Sequence, residues 1–256
     1  MTDTTAQSIR SIGLKTAIVA SALVGVWQHN PDLSNGFMNS VYKAFTIQSN
    51  LWIAGASLVL ISLELLHLLP GRQNMPIPGT NGIIPAWLRV LRFMFLTSIL
   101  LTWSVFAVLL TPFQTRSYLF SPSNILLHNL TAILALLDYL LDSREAGIHP
   151  RALPTALIMP LAYTIFFVSA YEITGRLPVR YFFLDYQKYG WFKVGNGGIG
   201  VMYWILILLC VLLALGALLR RLRRLAGKRP IAVAFSSVVC MGTLSLLMIM
   251  LFAKGQ

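Results

Sequence analysis

Residues 198–252 read GIGVMYWILILLCVLLALGALLRRLRRLAGKRPIAVAFSSVVCMGTLSLLMIMLF, two long apolar runs separated by a segment with six basic residues. A helix rises 1.5 Å per residue, so about 20 apolar residues cover a hydrocarbon core of roughly 30 Å. The runs Gly198 to Leu219 and Ile231 to Phe252 both reach that length. Lipid offers backbone amides no hydrogen-bond partner, so runs of this kind must be helices rather than open strands. The segment between them carries Arg220, Arg221, Arg223, Arg224, Lys228 and Arg229, and the positive-inside rule assigns it to the cytoplasmic face.

Working outward, five more runs qualify: Ile12 to Trp27, Ser49 to Leu69, Ala86 to Leu110, Asn124 to Leu141 and Leu153 to Tyr171. The expected fold is an all-α polytopic transmembrane bundle of about seven spans. Composition agrees. Hydrophobic residues make up 57% and charged residues 11%, with a mean hydropathy of +0.73, where a soluble domain is roughly a quarter charged. The first run is short, and with Arg10 and Lys15 ahead of it also fits a signal peptide, although no secreted-domain composition follows. Cys210 and Cys240 fall mid-span, where they act as small hydrophobes rather than a disulfide framework.

A net charge of +12 raises the question of nucleic acid, but the basic residues are placed between spans, which argues for a membrane topology and no nucleic-acid partner. Seven alternating spans put the N-terminus inside, with the connections at Pro70 to Pro85, an irregular proline-rich stretch, and Asp142 to Ala152. That arrangement leaves Arg10, Lys15, Arg72, Arg89, Arg92, Arg144 and Arg151 on the same side as the six-charge segment, thirteen of the 20 Lys and Arg residues. The expected location is the cell membrane, with a cytoplasmic N-terminus. Outside, YEITGRLPVRYFFLDYQKYGWFKVGNGG, residues 171–198, interleaves aromatics with Arg and Lys, as suits an interfacial belt or a rim over a lipid-facing cavity.

Two polar clusters interrupt the apolar runs. At the start of the second run, Thr46, Ser49 and Asn50 stand at i, i+3 and i+4 and so share one helical face. In the fourth, Asn124, His128, Thr131, Asp138 and Asp142 fall within a narrow arc, a stripe that should face the bundle interior or water. Thr46 and His128 lie at the same expected depth near the outer face. A hydroxyl beside an imidazole is the minimum needed for nucleophilic catalysis. A satisfied interhelical hydrogen bond is the ordinary reading of such residues.

FTIQSNLW (45–52), LLHNLTAILALLDYLL (126–141) and YFFLDYQKYGW (181–191) resemble the androgen-induced-protein family of multi-pass membrane hydrolases and its bacterial relatives. The resemblance spans roughly residues 10–220. Two places differ: Ala132 and Tyr139 stand where the family commonly carries Pro and Trp. The resemblance implies a six-span hydrolase-like domain over residues 1–220, then a basic cytoplasmic loop and an extra C-terminal helix over 221–256. It also implies a threonine nucleophile, Thr46, with a histidine partner, His128, acting on fatty acid esters of hydroxy fatty acids, a membrane-lipid substrate class. Ser49, Asn50, Asn124 and Asn129 are then candidates for oxyanion donors, and Glu172 or Asp185 for orienting the histidine, or simply for rim charges. No cofactor is expected. A metal site is not expected either, since the four histidines are scattered and Glu64 with His67 is only half of a di-iron pattern. The rival reading is a non-enzymatic transporter or lipid-binding scaffold, in which the same polar face would continue past Asp138 to the inner side.

Overall fold

A computed structural model describes residues 3–29, 40–69, 84–142, 148–176, 179, 181–195 and 198–253. Seven helices are long and apolar enough to cross a membrane: Gln7–His29, Phe45–Leu68, Ala86–Phe113, Pro122–Leu141, Pro150–Thr174, Val201–Ala226 and Pro230–Phe252. The chain is a multi-pass integral membrane protein folded as a helical bundle. The expected connections at Pro70 to Pro85 and Asp142 to Ala152 fall mostly outside the described residues. A two-residue antiparallel pairing, Val194–Gly195 with Gly198–Ile199, closes the aromatic segment before the sixth span.

The third span is the central one. Of its most apolar stretch 67% is buried, against 17% for the sixth and seventh spans, and the polar residues in LRFMFLTSILLTWSV, among them Arg92, Thr97, Ser98 and Thr102, are buried with the apolar ones. Phe93, Leu96, Ile99 and Trp103 meet Ala132, Ala135, Leu136 and Tyr139 of the fourth span, and Ala234 and Met241 of the seventh join the same core. Small residues set the close approaches, as expected where helices pack without a hydrophobic drive between them. Gly216 of the sixth span faces Phe93, and Gly25 of the first lies on Leu126 and Leu127. Leu206, Ile207, Phe235, Leu246 and Met250 stay exposed on the outer spans, an apolar belt suited to lipid.

Two sequence expectations need correction. The second helix starts at Phe45 rather than Ser49, so the polar TIQSN stretch forms its first turns. The sixth helix runs to Ala226, which makes Arg220, Arg221, Arg223 and Arg224 helical rather than loop residues. Leu219, Leu222, Leu225 and Ala226 continue the helical apolar period there, and no Gly or Pro intervenes before Gly227.

A third correction concerns Lys15 and Arg92, which the sequence placed at the cytoplasmic ends of their spans. Both are buried inside the bundle. Lys15 Nζ lies 2.9 Å from Asp138 Oδ1, 3.1 Å from Glu64 Oε1 and 3.5 Å from Asp142 Oδ2. Arg92 bonds Asp138 Oδ2 at 2.7 Å, and Ser11 Oγ donates to Glu64 Oε1 at 2.9 Å. A charge in hydrocarbon is retained only with partners, and here four spans supply them. Glu64 is thereby engaged away from any di-iron pattern.

Candidate active site at one end of the bundle

The fourth span is not a uniform α-helix. Ile125–Leu130 forms a π-helical turn that carries His128. Its cause is local: Thr131 directs both its amide and its hydroxyl to the Leu126 carbonyl, five residues back, the hydroxyl at 3.0 Å. The third span ends the same way, with Phe106–Leu110 π-helical and Thr111 bonding the Phe106 carbonyl at 3.0 Å. The two widened turns face each other. Phe106 stacks on the His128 ring with centroids 3.7 Å apart. Wide turns of this kind often mark functional positions.

His128 is 7% exposed, and its Nδ1 has no hydrogen-bond partner among the described residues. The rest of the polar stripe, Asn124, Thr131, Asp138 and Asp142, is also buried in the bundle, as the periodicity required.

A cavity of about 70 Å³ joins the two reactive candidates: Thr46 and His128 both line it. Its remaining wall is mostly apolar, with Leu101, Val105, Leu110, Leu208 and Leu212 from the third and sixth spans. Thr46 sits in the first turn of the second helix, whose leading amides have no intrahelical acceptor. Tyr181, from the aromatic segment after the fifth span, also lines the cavity. Its phenol lies near the Thr46 side chain and the backbone of Phe45 and Thr46. Burial pushes the Tyr181 phenol above its ordinary value, against the opposite pull of those neighbours, so it keeps its proton at neutral pH. Behind it, Tyr163 donates to the Lys43 carbonyl at 2.9 Å. The described hydrogen bonds include none between Thr46 and His128; catalytic bonds are often loose before substrate binds.

The other sequence candidates are placed differently. Both amide hydrogens of Asn50 are engaged, on the carbonyls of Thr46 at 2.8 Å and Leu127 at 3.0 Å. Ser49 bonds the Thr46 carbonyl and Thr102 Oγ1, at 3.1 and 2.9 Å. Asn124 donates to the Leu119 carbonyl at 2.8 Å. Asn129 faces the seventh span, accepting from Ser245 at 3.0 Å, while Trp103 Nε1 donates to the same Ser245 hydroxyl at 3.1 Å. Ser49, Asn50 and Asn129 tie helices together, Asn124 fixes the turn leading into its own span, and none of the four lines the cavity. Glu172 accepts from the Tyr186 hydroxyl at 2.5 Å. Asp185 accepts from Tyr171 at 3.4 Å and caps the short helix Tyr186–Tyr189 through the Lys188 amide at 3.1 Å. Both acids therefore sit in the rim with tyrosine partners, and neither hydrogen-bonds His128.

Sequence reasoning missed Tyr181, although its segment YFFLDYQKYGW stood out for its aromatics. Among the described residues, no group of three or more His, Cys, Asp or Glu could hold a metal ion. No family model, no curated protein and no solved structure matches this chain.

Proposed function

We propose that the protein is an integral membrane hydrolase that cleaves an ester bond in a lipid-like substrate through an acyl-threonine intermediate. The supporting observation is the single cavity on which Thr46, His128 and Tyr181 converge while the rest of the wall is apolar. An apolar pocket with a few convergent polar groups is the form such sites take. Thr46 Oγ attacks the ester carbonyl carbon, and His128 accepts the hydroxyl proton as the bond forms. An internal threonine has no α-amine to serve as its base, so it depends on the imidazole. The oxyanion is stabilised by the Tyr181 hydroxyl. His128 then passes its proton to the departing alkoxide, and the C–O bond to the alcohol breaks. Water, deprotonated by the same imidazole, attacks the acyl-threonine, and the imidazole returns that proton to Thr46 Oγ as the acyl–oxygen bond breaks and the acid leaves.

Resemblance to the androgen-induced-protein family points to fatty acid esters of hydroxy fatty acids as substrates. The positive-inside bias of the basic residues supports a location near the outer face. The transporter alternative requires polar groups along the whole path, and the described polar layers are not continuous. Thr131, bonded to Ser21 at 2.8 Å, and Asp138 are seven residues apart, about 10 Å along the helix. Ile18, Ile53, Ala135 and Leu136, all buried, lie in that interval, and the buried Ser57, Thr97 and Ser98 of the neighbouring spans turn their hydroxyls onto carbonyls of their own helices.

The test is labelling of the purified protein with a fluorophosphonate probe. Wild type should be labelled with or without EDTA, and Thr46→Ala should not. Equal labelling of both proteins would discard Thr46 as the nucleophile.

A further inference from the structure

A second cavity, of about 490 Å³, opens between the sixth and seventh spans at the opposite end of the bundle. It shares no lining residue with the first. Its walls are largely leucine, with Leu215, Leu219 and Leu222 on one side and Val233 and Met241 on the other; Trp103 closes the floor. On the seventh helix the lining runs from Arg229 to Met241. Twelve residues of helix span about 18 Å. That is close to half of a hydrocarbon core of roughly 30 Å, the depth of one leaflet. The groove therefore has the length and chemistry of a single acyl chain entering from the basic end.

The groove's mouth has a charge to match. Arg229 lines it with Lys228 beside it in the chain, while Arg220, Arg221 and Arg224 add positive charge at the adjoining end of the sixth helix without lining the groove. None of these five cations forms an ion pair among the described residues. The contrast is Arg223, whose guanidinium donates to the carbonyls of Tyr139, Leu140 and Asp142 at 3.2, 2.8 and 2.7 Å and so is committed to packing. Ser236 adds an exposed serine about two helical turns below Arg229. A zwitterionic lipid would fill the groove but leave the cationic mouth uncompensated, whereas an anionic headgroup answers both features.

From this we propose that the cleft between the sixth and seventh spans is a binding site for one anionic phospholipid of the adjoining leaflet. One acyl chain lies along the leucine groove, and the phosphate is held by Arg229. Nothing in this assignment depends on the reaction proposed for Thr46.

The experiment is native mass spectrometry of the full-length protein in detergent micelles containing either phosphatidylglycerol or phosphatidylcholine with the same acyl chains. Wild type should retain one phosphatidylglycerol and little phosphatidylcholine. Arg229→Gln should weaken phosphatidylglycerol retention roughly fivefold, the loss expected for one basic contact of about 1 kcal/mol. Ala232→Trp, which fills the groove without touching the charges, should displace the lipid while the protein remains monodisperse. Equal retention of the two lipids by wild type would overturn the headgroup assignment. Full phosphatidylglycerol retention by Ala232→Trp would overturn the groove, leaving only a charged surface. A lipid-free dimer that Ala232→Trp dissociates would assign the cleft to a second copy instead.

Discussion

Replacing Lys15 by methionine keeps the length of the side chain and removes its charge from the centre of the bundle. Lys15 is 0% exposed and stands within 3.5 Å of Asp138, Asp142 and Glu64. With Arg92 the cluster sets two formal cations against three carboxylates; Lys15→Met leaves one against three. Removing one partner of a buried ion pair costs about 3–5 kcal/mol, because the remaining charge is left without compensation. The first span carries Lys15, so its seat against the second and fourth spans should loosen first. In Lys15→Met/Asp138→Asn the formal imbalance returns to one, and the double variant should be less damaged than the sum of the singles by about 2 kcal/mol. Reversible unfolding in dodecylmaltoside–SDS mixed micelles, followed by tryptophan fluorescence, measures all four corners of that cycle. A cost below about 1 kcal/mol for Lys15→Met, or additivity within about 0.5 kcal/mol, would refute the view that this network holds the first span.

Other expectations bear on the site. A Cβ on Gly25 would meet Leu127 Cγ and Cδ2 at 2.9 Å, so Gly25→Ala should cost about 1–3 kcal/mol. By moving the turn that carries His128 it should also lower kcat, by up to roughly a hundredfold; unchanged stability and kcat would show that the turn yields freely. Tyr181→Phe should lower kcat by about 10²–10³-fold with little change in KM, the loss typical of one oxyanion donor, and activity within twofold of wild type would remove Tyr181 from the mechanism. Raising the pH above about 10 should destabilise the fold. Tyr181 is held up by burial, and Tyr186 is held up to about 12 by burial and by Glu172, so the unfolded chain releases phenol protons that the folded chain keeps. Melting points at pH 9 and 11 should differ less in Tyr186→Phe than in wild type, and an equal drop would contradict the assignment.

The hydropathy pattern revealed the seven spans, and helical periodicity revealed that the stripe from Asn124 to Asp142 turns inward. Both are local properties of the chain. The π-helical turns were hidden, because one residue added to a turn leaves hydropathy unchanged; in retrospect Thr111 and Thr131, each bonding a carbonyl five residues back, are the residues that mark them. Lys15 and Arg92 were read as end charges because their carboxylate partners lie on other spans, up to 127 residues away. The oxyanion candidates were chosen by residue type, yet Asn50 and Asn124 use their amide hydrogens on backbone carbonyls. Tyr181 reaches Thr46 only through the packing of a loop on a helix start, which no spacing rule encodes.

Thr46 should become acylated during turnover. Purified protein mixed with a fatty acid ester of a hydroxy fatty acid, quenched in acid within the first turnovers and digested, gives the direct answer by peptide mass spectrometry. An acyl mass is expected on the peptide containing Thr46, absent in Thr46→Ala and strongly reduced in His128→Ala. Continued ester hydrolysis with no acyl adduct on Thr46, or an adduct on another residue that survives in Thr46→Ala, would contradict it.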